Sequence, residues 1–199
     1  MIEGVDEIVV ATSNEIEDEP IKKFVSNEGV ELFRGDLNDV CVRAFDVCKK
    51  YNFDKFVRIC GDRPFFSHNI ITNLINVHNK NKVDIVTNMF PRTYPPGFTA
   101  EIISKIALKK IISSTKNLDD REHLTKYIYE NPSKFSIINM KYQGSDKIDN
   151  FSLTVDNYDD LIRSRWIASK IDFDNKKNEN YLDKIIDLAK EWNNKKTKI

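Results

Sequence analysis

Glycine is scarce in this chain, six residues in 199. None falls in a G-x-G-x-x-G or G-x-x-x-x-G-K-[ST] pattern, so the common glycine-rich phosphate cradles are excluded. Cysteine is scarce too: Cys41, Cys48 and Cys60 make an odd number with no C-x-x-C spacing, which argues against a disulfide framework or a thiolate metal site. All three read as small core residues, and the natural compartment is a reducing cytoplasm. Neither charge sign is in excess, with 31 Lys+Arg against 31 Asp+Glu, so no overall field draws the chain to a nucleic acid polymer or an anionic membrane. No apolar run approaches the roughly 18 residues needed to span a bilayer. Glu3, Asp6 and Glu7 precede the first apolar run, which is wrong for a signal peptide.

What remains is a 40% hydrophobic, 31% charged composition that fits one full-sized globular domain with a highly charged surface. Residues 1–171 carry the domain pattern, and 172–199 read as a polar linker and a C-terminal amphipathic helix. The first two thirds alternate strand and helix: Glu7–Thr12 strand, Ile16–Glu28 helix, Val30–Phe33 strand, then a helix through Leu37, Cys41, Ala44, Cys48 and Tyr51. The strand Phe56–Ile59 follows, then a helix capped by Ser67 with Ile70, Ile71, Leu74, Ile75 and His78 on one face, then the strand Asp84–Met89. Alternation at this pitch predicts a mostly parallel sheet covered on both faces. A rigid loop, Pro91–Gly97, breaks the pattern. Beyond it come strands at Phe98–Ile103, Phe135–Tyr142 and Phe151–Val155, and helices at Lys105–Ser113, Leu118–Asn131, Tyr158–Ile171 and Tyr181–Trp192, with a polar loop at Gln143–Asn150.

Two strands end on a carboxylate. Phe56-Val57-Arg58-Ile59 stops at Gly61-Asp62 with Pro64 closing the turn, and Leu153-Thr154-Val155 stops at Asp156. Open α/β sheets place ligands outside the carboxyl ends of their strands, and Mg²⁺ is usually held by one or two protein carboxylates plus substrate phosphates. Each Asp alone fits a turn-capping role equally well.

Six segments taken in order give a family likeness: Ile8-Val9-Val10-Ala11-Thr12-Ser13; Leu32-Phe33-Arg34-Gly35-Asp36 with Asp39 and Arg43; Arg58-Ile59-Cys60-Gly61-Asp62-Arg63-Pro64; Arg92-Thr93-Tyr94-Pro95; Arg121-Glu122-His123-Leu124-Thr125; and Leu153-Thr154-Val155-Asp156. The chain resembles the sugar cytidylyltransferases, in particular the spore coat polysaccharide biosynthesis protein F branch and the CMP-KDO and acylneuraminate cytidylyltransferases. The resemblance implies a three-layer α/β/α nucleotide-diphospho-sugar transferase fold of the GT-A type. It also implies transfer of CMP from CTP to a sugar acid of the nonulosonic type, with release of pyrophosphate, in surface polysaccharide or glycan synthesis.

By the same resemblance Asp62 and Asp156 are the catalytic, Mg²⁺-binding pair. Arg34, Asp39, Arg43 and Gly61 lie against the nucleotide, and Arg92, Tyr94, Glu101, Arg121, Glu122 and His123 against the sugar. Asp39 and Arg43 are also spaced as a solvated i,i+4 pair. Thr99 stands where the family usually has Asp. Homodimerisation through Tyr127–Tyr142 is implied as well, although those aromatics serve equally well as monomer core.

Family members begin with a strand and a Gly-rich loop that this sequence does not show, so the fold is expected to be N-terminally truncated and catalysis crippled. The absent strand is central. Its loss predicts unpaired edges on the strands of Val9 and Val57, unless an upstream segment or another chain fills the gap or the two strands close together. A non-catalytic nucleotide- or sugar-binding partner of an intact paralogue is the alternative. A sugar-consuming GT-A glycosyltransferase ranks last, because Asp62 is followed by Arg63-Pro64 rather than by the Asp-x-Asp metal motif of that class.

Overall fold

The alternating apolar pattern does build strands with two buried faces. In the computed structural model, which describes residues 2–142, 152–172 and 181–196, they are β1 (Val9–Ser13), β2 (Glu31–Gly35), β3 (Lys55–Arg58), β4 (Ile85–Thr87), β5 (Glu101–Ser104) and β6 (Ile137–Asn139). The α-helices are α1 (Glu19–Asn27), α2 (Val40–Lys50), α3 (His68–Asn81), α4 (Lys105–Ser114), α5 (Leu118–Glu122), α6 (Lys126–Glu130), α7 (Tyr158–Ala168) and α8 (Tyr181–Lys196). Successive strand residues point to opposite faces, and here they feed two separate cores. Val86 and Ile102 pack with Ile71, Leu74 and Ile75 of α3, Ile167 of α7 and Ile185 and Ala189 of α8. Their neighbours Ile85 and Ile103 pack with Cys41 and Cys48 of α2, Leu108 and Ile111 of α4, and Leu124 and Ile128. Helices therefore cover both faces, as a three-layer α/β/α fold requires.

The sheet departs from the mostly parallel expectation in two ways. β5 runs antiparallel to both β3 and β4, while β1–β2 and β4–β6 are parallel. Apolar alternation sets which face is buried but carries no strand direction. Second, the strands fall into two sheets, β1-β2 and β3-β5-β4-β6. Among the described residues β1 pairs with β2 alone and β3 with β5 alone. Among these residues no ladder joins β1 to β3. Ile8 and Ile59, adjoining these open-edged strands, are 59% and 39% exposed.

Helix ends follow local chemistry. Ser67 caps α3 by accepting the Ile70 N–H, and Ser104 caps α4 by accepting from Ala107. Ile70, Ile71, Leu74 and Ile75 are buried on one α3 face as expected, and His78 is buried with them, although a histidine ending a helix reads as a surface or edge residue. The single helix expected over Leu118–Asn131 is two short helices, α5 and α6, because Leu124 turns into the core between them. Of the strand expected over Phe151–Val155, residues 152–155 have no regular structure, and Phe151 lies outside the described residues. Cys60 is half-buried rather than core, while Cys41 and Cys48 are fully buried. The Gln143–Asn150 loop and residues 173–180 of the linker lie outside the described residues. The C-terminal helix α8 docks on the first core, and Trp166 and Trp192 meet with ring centroids 5.4 Å apart.

His78 gives this core a pH dependence. It is 6% exposed on α3, and burial, with the nearby Lys55 charge, lowers its pKa below the ordinary 6.5. The unfolded chain therefore takes up the proton first as pH falls. This contribution to stability is complete above pH 6.5 and is lost on acidification through that value towards the folded pKa. His78→Gln is expected to flatten the urea-denaturation midpoint between pH 7 and 5 relative to the native chain.

Candidate active site at the carboxyl rim

The turn after β3 and the segment before α7 meet through one backbone bond. The Val155 N–H donates to the Asp62 carbonyl at 2.8 Å, which sets Asp156 one residue from the contact. Asp62 and Asp156, 94 positions apart in sequence, are thereby neighbours, although neither closes a ladder. Two fixtures hold the 153–156 segment. From one side the Leu153 N–H donates to the Pro96 carbonyl at 2.9 Å. From the other, Arg163 of α7 donates to the Thr154 carbonyl at 2.8 Å and pairs with Asp160 at 2.9 Å, while the Asp160 carboxylate accepts the Asp156 N–H at 3.1 Å. Asn157 and Asp160 close a capping box on α7.

Gly97 is needed where Pro96 meets this segment. Its φ of +102° is disfavoured for side chains, and an added Cβ would stand 2.6 Å from the Leu153 Cβ and 2.8 Å from its carbonyl carbon. Gly97→Ala is expected to push the 153–156 segment outward. It should weaken Mg²⁺-dependent nucleotide binding about tenfold by calorimetry without touching either carboxylate, since displacements near 1 Å have effects of that order or larger.

The Asp62 side chain answers the turn-capping alternative. Among the described residues it accepts no hydrogen bond. Its Oδ1 is buried and unpartnered, with the Arg63 Nε 3.9 Å away. A buried carboxylate oxygen left without a donor costs stability, and a divalent cation would satisfy it. Asp156 is exposed, and its Oδ2 accepts the Thr154 hydroxyl at 2.7 Å. At Gly61 an added Cβ would meet nothing within 4 Å, so bare backbone beside Asp62 faces open space. The donor set, one orphaned and one exposed carboxylate, fits Mg²⁺, which takes few protein ligands and completes its shell from phosphates and water. No larger cluster of His, Cys, Asp or Glu suited to a metal occurs among the described residues.

Most of the remaining candidates have local partners. Arg34 donates to the Ser13 and Glu15 carbonyls at 2.8 and 2.7 Å and pairs with Glu19. Arg43 donates to the Asp36 carbonyl at 2.7 Å. Asp39 caps α2 through the Val42 N–H and is clasped by Arg121, whose Nε and Nη2 lie 3.0 and 2.6 Å from its oxygens. Arg121 also donates to the Ile112 carbonyl. Glu122 is exposed, and the exposed His123 ring lies 3.4 Å from Asp119. Arg92 is exposed, while Tyr94 is half-buried against Tyr142 with centroids 5.2 Å apart. The structure thus brings Asp39 together with Arg121. Among the described residues no hydrogen bond or ion pair joins either of them, or Arg34, Arg43, Glu122 or His123, to Asp62 or Asp156.

Glu101 is 0% exposed and accepts from Arg58 Nη1 at 2.7 Å and from the Tyr129 hydroxyl at 2.5 Å. Burial opposes the Arg58 charge, but Glu101 outweighs it and holds the guanidinium's pKa above its ordinary value. Burial, reinforced by the Glu101 charge, pushes the Tyr129 phenol up, so it remains a proton donor. Arg58 and Tyr129 were missed as functional candidates. The only sequence signal was a charged residue, Arg58, closing an apolar strand. A surface cavity of about 500 Å³ between residues 2–5 and His68, Asn69 and Thr72 includes neither Asp62 nor Asp156 in its lining.

Helix-covered strands, with Asp62 and Asp156 on two segments joined by a backbone bond at the rim, define the class: an α/β protein. Residues 2–196 match the Cytidylyltransferase family, and the chain belongs to it. It is 34% identical over 156 residues to an uncharacterized protein of Methanocaldococcus jannaschii, covering 78% of this chain and 63% of that protein. It is 25% identical over 157 residues to the spore coat polysaccharide biosynthesis protein SpsF of Bacillus subtilis, covering 78% and 64%. The chain therefore spans a little under two thirds of these curated relatives. Among solved structures, a cytidylyltransferase from Leptospira borgpetersenii superposes with a TM-score of 0.81 at 30% identity, covering 92% of this chain and 75% of that one. A CMP:2-keto-3-deoxy-manno-octonic acid synthetase complexed with CTP superposes at 0.60 and 13% identity, covering 85% and 83%; this likeness is one of fold. No helix among the described residues is long and apolar enough to cross a membrane.

Proposed function

We propose that this chain carries the metal- and nucleotide-binding face of a cytidylyltransferase that joins CMP to a sugar acid and releases pyrophosphate in polysaccharide or glycan synthesis. The observation that carries the proposal is the meeting of Asp62 and Asp156 through the Val155–Asp62 bond, with one carboxylate oxygen buried and unclaimed. In this reading the acceptor's anomeric oxygen forms a bond to the α-phosphorus of CTP as the bond to the β-phosphate oxygen breaks. The hydroxyl proton leaves to solvent or a base. Mg²⁺, held by Asp62 and Asp156, would supply charge neutralisation for the triphosphate and acidify the attacking hydroxyl. The protein's own share is positioning: the Pro96–Gly97 turn and the α7 capping box fix Asp156, and the bare Gly61 backbone allows close approach.

Family likeness supports the CTP assignment, and likeness to SpsF supports the polysaccharide setting. The open edges of β1 and β3 favour a second element of the reading, that a further strand completes the sheet between them in the active protein. Turnover by these 199 residues alone is then expected to be very weak. Calorimetry with CTP and UTP, each with and without Mg²⁺, tests the proposal. The expected result is CTP binding that requires Mg²⁺ and exceeds UTP binding; equal, Mg²⁺-independent binding of both, or none, refutes it.

A further inference from the structure

The four-stranded sheet ends in one polar row. Arg58, Glu101, Thr87 and Asn139 stand in register across β3, β5, β4 and β6. The two rows beneath, Val57–Ile102–Val86–Ile138 and Phe56–Ile103–Ile85–Ile137, are wholly apolar. Packing alone does not call for this switch, since a buried ion pair is commonly no more stabilising than apolar side chains of the same volume. The row is tied together: Arg58 and Tyr129 hold Glu101, and the Tyr129 and Thr87 hydroxyls lie 2.8 Å apart. At the far end Asn139 accepts the Phe90 N–H at 3.2 Å and donates to the Pro91 carbonyl at 2.9 Å, and the Phe90 ring stacks on Tyr129 at 4.7 Å. The row is therefore a rigid polar floor, partly roofed by the loop that follows β4.

Arg58 is its one incompletely used member. The side chain is 24% exposed, and among the described residues only Nη1 has a hydrogen-bond partner. Arg121, by contrast, spends all three guanidinium nitrogens on protein acceptors. Arg58 also lies four residues before Asp62 on the same strand-to-turn run, at the end of the sheet where α/β folds take their ligands. A guanidinium fixed on one side and open on the other matches an oxyanion in planar, two-point geometry.

We infer that Arg58 is a ligand-binding residue that receives an oxyanion, either the acceptor's carboxylate or a nucleotide phosphate, with Glu101 and Tyr129 as positioning residues that act through it. The inference rests on the proposed cytidylyltransferase reading for the identity of those ligands. It assigns to Arg58 the contact that family likeness alone would give to Glu101, which is too deeply buried to make it. Glu101 balances the Arg58 charge when no ligand is bound, and Tyr129 prevents the pair from rotating.

The test is ¹⁵N–¹H spectroscopy of the full chain, following the Arg58 Nε–H resonance, identified by its loss in Arg58→Lys. The probes are N-acetylneuraminate, inorganic pyrophosphate, and CTP with Mg²⁺. A saturable shift of this resonance is expected with at least one probe, larger than any shift at Arg34 or Arg121. Neuraminate alone shifting it identifies a carboxylate, and pyrophosphate or CTP a phosphate. The double variant R58M/E101Q removes both charges and so leaves no orphaned carboxylate. It should bind the same probe about tenfold or more weakly, the scale of one charge-assisted hydrogen bond, with Arg58→Lys recovering part of the loss. No shift with any probe, or undiminished binding by the double variant, overturns the inference. If pyrophosphate shifts Arg58 while CTP with Mg²⁺ does not bind, Arg58 is an oxyanion site and it is the cytidylyltransferase reading that fails.

Discussion

The Asp62→Asn protein is expected to keep its melting temperature in metal-free buffer and to lose Mg²⁺-dependent nucleotide affinity by about a hundredfold or more. The affinity figure is a lower bound, because altering residues that merely support metal ligands already costs roughly 10–100-fold. The stability half follows from the environment. Asp62 accepts no hydrogen bond among the described residues, its side chain is 36% exposed, and the Arg63 Nε lies as far as 3.9 Å from its Oδ1, so its replacement by Asn removes no hydrogen bond from the fold. A turn-capping aspartate would behave oppositely: its replacement would cost stability, about 1 kcal/mol or so for a lost cap, and leave binding alone. Thermal denaturation and calorimetry on the same preparation separate the two. Asp156→Asn should show a comparable loss of affinity with a small fall in stability, because Asp156 accepts the Thr154 hydroxyl.

Glu101→Ala is expected to be the most destabilising of the substitutions considered, by about 3–5 kcal/mol, the range for breaking a buried ion pair from one side. The carboxylate is fully buried, and its removal strands the Arg58 guanidinium, which loses its 2.7 Å partner, and leaves the Tyr129 hydroxyl with the Thr87 hydroxyl but without its 2.5 Å acceptor. For a domain of this size that corresponds to roughly 10 °C in melting temperature. The R58M/E101Q double variant is expected to lie within about 1–2 kcal/mol of the native chain, since removing both charges leaves neither one unpaired. Urea denaturation of the single and double variants checks this. Equal losses in both would mean that the volume of the cluster, rather than its charge pairing, sets its contribution.

How much of this was legible in the sequence depends on the range of the interactions. The apolar α3 face was readable because burial of Ile70, Ile71, Leu74 and Ile75 follows helical period, and Ser67 announces the cap locally; the burial of His78 was not, since a histidine ending a helix reads as a surface or edge residue. The break between α5 and α6 was not, because a buried Leu124 competes with the helical pattern through tertiary contacts that local propensity does not register. Leu153–Val155 has strand-like composition, but its backbone donors go to Pro96 and Asp62 in two different segments, so no ladder forms. Strand direction around β5 was illegible for the reason that alternation is the same read either way. At the site, Asp62 and Asp156 could be picked out because each closes an apolar run. Arg58, Glu101 and Tyr129 could not be joined, since their contacts span 43 and 28 positions.

The central claim is that Asp62 and Asp156 hold one divalent cation. Paramagnetic broadening by Mn²⁺, standing in for Mg²⁺, tests it directly on ¹⁵N-labelled protein with CTP present. The account predicts that the amides of residues 61–63 and 155–157 broaden together at the same metal concentration, and that Asp62→Asn abolishes the effect in both segments. Broadening of one segment without the other, or persistence at 155–157 in the Asp62→Asn protein, would contradict it.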